Sequence, residues 1–143
     1  MSVLFFIGIF TAGSTALGYY YYFVYSPPLK VAEAFMRAME TSDVKALQRV
    51  VVMTDSADST NVREPSDEEI QYLLAEHFER GKILDQHKRE GNSREYYYLV
   101  YREPDGQIYA LLVTRFGEGF RVVIPERRMS TRERYLWEYT WTN

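Results

Sequence analysis

From Val3 to Tyr25 no side chain carries a charge, and the first charged side chain of the sequence is Lys30. A helix of that length rises roughly 34 Å, enough to cross a hydrocarbon core of about 30 Å. The pattern predicts a transmembrane helix over residues 1–25. Met1-Ser2 lacks the basic residues that open a secretory leader, and without Cys there is no lipoprotein cleavage site, so a retained anchor is expected. Gly8, Ala12 and Ala16 recur every fourth residue, and Ser14 and Gly18 form a second such pair. Small residues at that spacing give a groove that a partner helix can approach closely. Tyr19, Tyr20, Tyr21, Tyr22, Phe23 and Tyr25 follow as an aromatic band suited to the headgroup zone.

Ser26-Pro27-Pro28 then interrupts the pattern, and the sequence predicts a stiff linker over 26–28. Beyond it, Val31, Phe35 and Met39, flanked by Ala32 and Met36, have the spacing of a core-facing helix over Leu29–Glu40. Val44, Leu47 and Val51 predict a second helix over Asp43–Val52, with Ser42 or Asp43 as its N-cap. A polar loop covers 54–65. Ser66-Asp67-Glu68-Glu69 is a capping box that opens a third helix, expected to run to about Arg80 and stop at Gly81.

After Gly81 the period changes from helical to alternating. Strands are expected over Lys82–Glu90, Arg94–Arg102, Gln107–Phe116 and Phe120–Pro125, joined at Gly91-Asn92, Pro104-Asp105-Gly106 and Gly117-Glu118-Gly119. Helices followed by meandering strands define an α+β domain over 29–126. On the two central strands both faces are apolar or aromatic: Tyr97, Leu99 and Tyr101 on one side, Tyr96, Tyr98 and Val100 on the other. A sheet with one wet face should alternate with polar residues. One face is therefore expected under the helices, and the other under the tail, another protein, or a second copy in a homodimer joined sheet to sheet.

The C-terminal segment, 127–143, changes character again. Arg127, Arg128, Arg132 and Arg134 precede Tyr135, Trp137, Tyr139 and Trp141, which at period two share one face of an extended strand. Aromatic residues and Arg are enriched at interface hot spots and at membrane surfaces. Tyr135, Trp137, Tyr139, Trp141, Arg132 and Arg134 are the candidate partner-docking residues. A last strand sealing the domain's own sheet is the competing expectation.

Composition narrows the chemistry. A formal net charge of -3 gives no reason to expect nucleic acid as partner. The absence of Cys excludes disulfides, thiol nucleophiles and thiolate metal sites. His77 and His87 lack metal-ligand partners at suitable spacing. Asp55, Asp58 and Asn61 share a loop, but without the spaced acids and turn Gly of a calcium loop. There is no phosphate-cradling Gly loop and no nucleophile elbow. No catalytic residue, cofactor site or metal site is expected.

The stretch from Ser26 to Phe35, with Ala38-Met39 and Asp43-Val44-Lys45-Ala46-Leu47, resembles the start of small bacterial members of the nuclear transport factor 2-like (ketosteroid-isomerase-like, cystatin-like) superfamily. The resemblance covers about 26–126. It implies a cone of three helices packed on a curved antiparallel sheet of three to five strands. The superfamily includes isomerases, dehydratases and non-enzymatic modules, so fold alone does not choose function. Its steroid isomerases use Tyr and Asp inside the cone, and the central strands here carry no Asp. The resemblance also implies a domain outside the cytoplasm, whereas Lys30 and Arg37 after the span favour the inner side under the positive-inside rule. The sequence as a whole predicts a single-pass cell-membrane protein whose partners are the lipid bilayer and other membrane subunits. Its expected role is a non-enzymatic accessory subunit. The alternative is a tethered ligand-binding module or enzyme that uses the cone pocket.

Overall fold

Pro27 and Pro28 fall in the first described turn of helix α1 (Ser26–Thr41), not in a linker. The computed structural model describes residues 26–55, 61–75, 77–89, 94–126 and 135–138. The predicted span lies outside the described residues, with Gly8, Ala12, Ser14, Ala16 and Gly18 and the band of Tyr19, Tyr20, Tyr22 and Tyr25. Arg132, Arg134, Tyr139 and Trp141 lie outside them as well. Among the described residues, no helix is long and apolar enough to cross a membrane.

Helix α1 ends with Ser42 at φ 53, and the Asp43 N–H donates back to the Ala38 carbonyl at 2.9 Å. This closes the helix by a six-to-one hydrogen bond. Asp43 then caps α2 (Val44–Val50), its carboxylate accepting from the Ala46 N–H at 3.1 Å. The expected second helix stops short of Val52, because Val51–Thr54 forms strand β1. A run of β-branched residues disfavours further helix, and all four strand residues are buried, as in a strand covered on both faces. Helix α3 (Asp67–Leu74) opens with the capping box of Ser66 and Glu69. It ends six residues earlier than the expected Arg80.

Strands β2 (Lys82–Arg89), β3 (Tyr96–Arg102), β4 (Ile108–Phe116) and β5 (Gly119–Pro125) form an antiparallel meander. Strand β1 adds to it parallel to β5, so the five-stranded sheet, ordered β1-β5-β4-β3-β2, is mixed and not purely antiparallel. Its outer edges are guarded differently. Met53 of β1 exchanges backbone hydrogen bonds with Arg63, at 2.7 and 3.0 Å. Strand β2 carries Lys82, Asp85, His87, Lys88 and Arg89 and an irregularity between Ile83 and Asp85, devices that discourage edge pairing.

Both sheet faces are covered. Phe35, Met36, Leu47, Ile70 and Leu73 of the helices pack on Met53, Tyr97, Leu99, Tyr101, Leu111, Val113 and Ile124. On the other face Val52, Tyr96, Leu112 and Val123 are fully buried, with Val62, Tyr98, Phe116 and Trp137 packed against them. The apolar alternation on β3 and β4 therefore reflects two packed layers, and the tail contributes to the second.

Candidate functional site

The docked tail begins with a gap in the sheet. The β4–β5 register runs from Phe116↔Gly119 to Leu112↔Val123, and continuing it sets Pro125 beside Ala110. Proline has no N–H, so it cannot complete a ladder pair there. Trp137 fills the position. Its N–H donates to the Ala110 carbonyl and its carbonyl accepts from the Ala110 N–H, both at 2.9 Å. Its indole Nε1 donates to the Val123 carbonyl at 2.9 Å. A tryptophan with a satisfied N–H can cover apolar surface without leaving a polar group unpaired.

The two residues before Trp137 enter the helix side. Leu136 is fully buried in the main core. Tyr135 sits between Phe35 of α1 at 5.6 Å, Phe78 at 5.7 Å and Tyr101 of β3 at 6.5 Å, all tilted or edge-on. Those are the separations and angles that aromatic quadrupoles favour. The hydroxyls of Tyr101 and Tyr135 hydrogen-bond to each other, and the Gly81 N–H donates to Tyr101 Oη at 2.6 Å. Burial pushes the Tyr101 phenol above its ordinary range, so it stays a neutral hydrogen-bonding group. A Cβ on Gly81 would lie 2.4 Å from both the Arg102 carbonyl oxygen and the Tyr101 ring. Gly81 is thus required by close approach to β3, not as a helix stop.

Two ionic clusters flank this core. Arg63 donates to both carboxylate oxygens of Glu69 at 2.7 Å and to Glu126 at 2.8 Å. The bidentate bond from Arg63 holds the Glu69 carboxyl down at about 2, against an ordinary value of 4.5. Arg80 donates to Glu40 at 2.8 Å and to Glu33 at 2.6 Å, tying the chain before β2 to α1. Beside Arg63, an open cleft of about 210 Å³ is lined by Met53, Thr54, Asp55, Asn61, Val62 and Glu126. Beside Arg80, another of about 380 Å³ lies between α1 and the start of β2. In both, the arginine is already engaged by carboxylates, which weakens it as an anion receptor.

The histidines do not join these clusters. His77 is exposed and lies beyond the end of α3, with Glu79 at 3.8 Å. His87 is half-buried on the edge strand, 3.3 Å from Asp85. Among the described residues, no three His, Asp or Glu side chains converge as a metal-ligand set.

Of the predicted docking residues, the structure brings Tyr135 and Trp137 onto the chain's own sheet, on opposite sides of it. Sequence reasoning placed them on one face of one strand. It missed Arg63, Glu126 and Gly81 as organising residues. Pro125 at the end of an otherwise regular strand was the available signal for the gap that Trp137 fills. No family model, no characterised protein and no solved structure matches the chain.

Proposed function

We propose that the protein is a single-pass membrane accessory subunit that works by packing, not by chemistry. The observation that carries this reading is the aromatic packing between helices and sheet. Phe35, Phe78, Tyr101 and Tyr135 occupy the region where the resemblance would put a cone pocket. The rings meet in tilted or edge-on pairs, and the hydroxyls of Tyr101 and Tyr135 are spent on each other, Tyr101 also accepting from the Gly81 N–H. The uncharged span over residues 1–25 and its small-residue stripe supply the second support.

On this reading the span sits beside helices of a larger membrane complex, with Gly8, Ala12, Ala16, Ser14 and Gly18 at the contact. Tyr19, Tyr20, Tyr22 and Tyr25 lie at the headgroup level. Tyr135 and Trp137 serve the chain's own fold, which leaves Arg132, Arg134, Tyr139 and Trp141 as the tail's contacts with a neighbour. The described residues form an α+β domain of three helices and a five-stranded mixed sheet. The parallel β1 departs from the antiparallel sheet that the nuclear transport factor 2-like resemblance implies. The test is purification of the full chain from its own membranes in mild detergent, with crosslinking before extraction. The reading expects discrete membrane polypeptides joined to it, released when Gly8 and Ala12 are both changed to Leu. A chain that stays monomeric and uncrosslinked contradicts it.

A further inference from the structure

Among the described residues, three large hydrophobic side chains are exposed: Tyr72 at 46%, Leu84 at 45% and Ile108 at 43%. Two of these lie at one end of the sheet. Lys82, Arg102 and Ile108 stand in one row across β2, β3 and β4. Leu84 is two residues inward from that row, at the irregularity of β2. Leu84 also lines the cleft between α1 and β2 together with Leu29, Glu33 and Met36. The start of α1 and the Ile108 end of the sheet are thus the same end of the domain.

Ser26 and Leu29 belong to one helix and are one turn apart, about 4.5 Å along its axis. Tyr25, the last residue of the uncharged span, immediately precedes Ser26. Each headgroup layer of a bilayer is about 5–7 Å deep. A span ending at Tyr25 therefore keeps Leu29 near the depth of the headgroups, and Leu84 lines the same cleft as Leu29.

We propose that this end of the domain rests on the lipid surface, with Leu84 and Ile108 inserted among the headgroups of the bilayer that holds residues 1–25. The inference rests on the membrane-anchor reading above and adds a second contact to it. Lys82 and Arg102 stand where lipid phosphates would lie. The acids nearby are Asp85, Glu103, Asp105 and Glu33, the last tied to Arg80. The mixed charge makes apolar insertion, not net attraction, the main term. Such a contact removes two exposed apolar side chains from water and fixes the domain's tilt on its anchor.

The chain has no Cys, so single cysteines can be placed without background. Full-length L84C, I108C and E118C are labelled with an environment-sensitive dye in vesicles of phosphatidylcholine and phosphatidylglycerol that carry a headgroup-level spin-label quencher. Glu118 sits in the turn at the opposite end of β4, roughly 27 Å from Ile108 by the rise of a strand. Quenching should be several-fold stronger at positions 84 and 108 than at 118. Equal quenching, or stronger quenching at 118, overturns the inference. An alkaline carbonate wash of the same vesicles separates the two ideas. A chain that washes off defeats the anchor reading and this inference with it, whereas a retained chain with no quenching difference defeats this inference alone.

Discussion

A few side chains hold strained or tightly coupled positions, and each makes a measurable claim. Ser42 occupies the left-handed region at φ 53, where a side chain is disfavoured and glycine is not. It is exposed, so no packing should be lost on shortening it. Ser42→Gly relieves about 1–2 kcal/mol of left-handed strain and costs about 0.5–1 kcal/mol of chain entropy, so it should leave the fold unchanged and stabilise it slightly, read as a higher midpoint in urea with unchanged slope. Glu69 makes the opposite kind of claim. Its carboxyl is held at about 2 by Arg63, below the ordinary 4.5 of the unfolded chain. A depressed carboxyl contributes stability that is complete above the unfolded value and is lost as pH falls through the folded one. Stability to thermal unfolding should therefore fall as pH drops from about 4.5 to about 2. In Glu69→Gln that part of the pH dependence should flatten, with stability at neutral pH lowered. An identical pH profile in the variant would show that the Arg63 bond contributes nothing.

At the scale of elements, the described part of the tail, residues 135–138, packs into the domain. Leu136 is fully buried, and Trp137 completes a sheet position that Pro125 cannot pair. Leu136→Ala should cost about 2–5 kcal/mol, the range for large buried side chains, measured by denaturant unfolding. A loss below about 0.5 kcal/mol would mean that the tail does not seal the core, since that is the scale of surface changes. The elements also show what the sequence could and could not reveal. The capping box at Ser66, the core faces of α1 and the strands β2 to β5 were legible because each carries a local signal: a cap, a period or a turn. Strand β1 was not, since Val50-Val51-Val52-Met53 is a short apolar run that fits a helix end as well as a buried strand. Its pairing with β5 is long-range. The early end of α3 was hidden because Leu74 and Phe78 keep helical spacing, although only Leu74 is in the helix. The tail's aromatic alternation was visible. Its division between two sheet faces was not, because that depends on the gap at Ala110, created by a residue on a different strand.

At the scale of the whole molecule, an uncharged segment, an α+β domain and an aromatic tail combine into a protein whose proposed work is contact. The domain's chemistry-bearing side chains are largely engaged with one another. Arg63 is held by Glu69 and Glu126, Arg80 by Glu33 and Glu40, and Tyr101 by Gly81 and Tyr135. The contact groups proposed are the small-residue stripe before Ser26 and the exposed Leu84 and Ile108 of the sheet. Close helix packing depends on backbone approach, and a single added side chain at the contact blocks it. The most direct measurement is the mass of the full-length protein extracted in mild detergent, by light scattering corrected for bound detergent, for the natural chain and for the Gly8→Leu, Ala12→Leu double variant. The account predicts a particle well above the 16.9 kDa of one chain that falls to the single-chain mass in the variant, with the domain still folded. A natural chain that already runs at the single-chain mass, or a variant whose particle is unchanged, would contradict it.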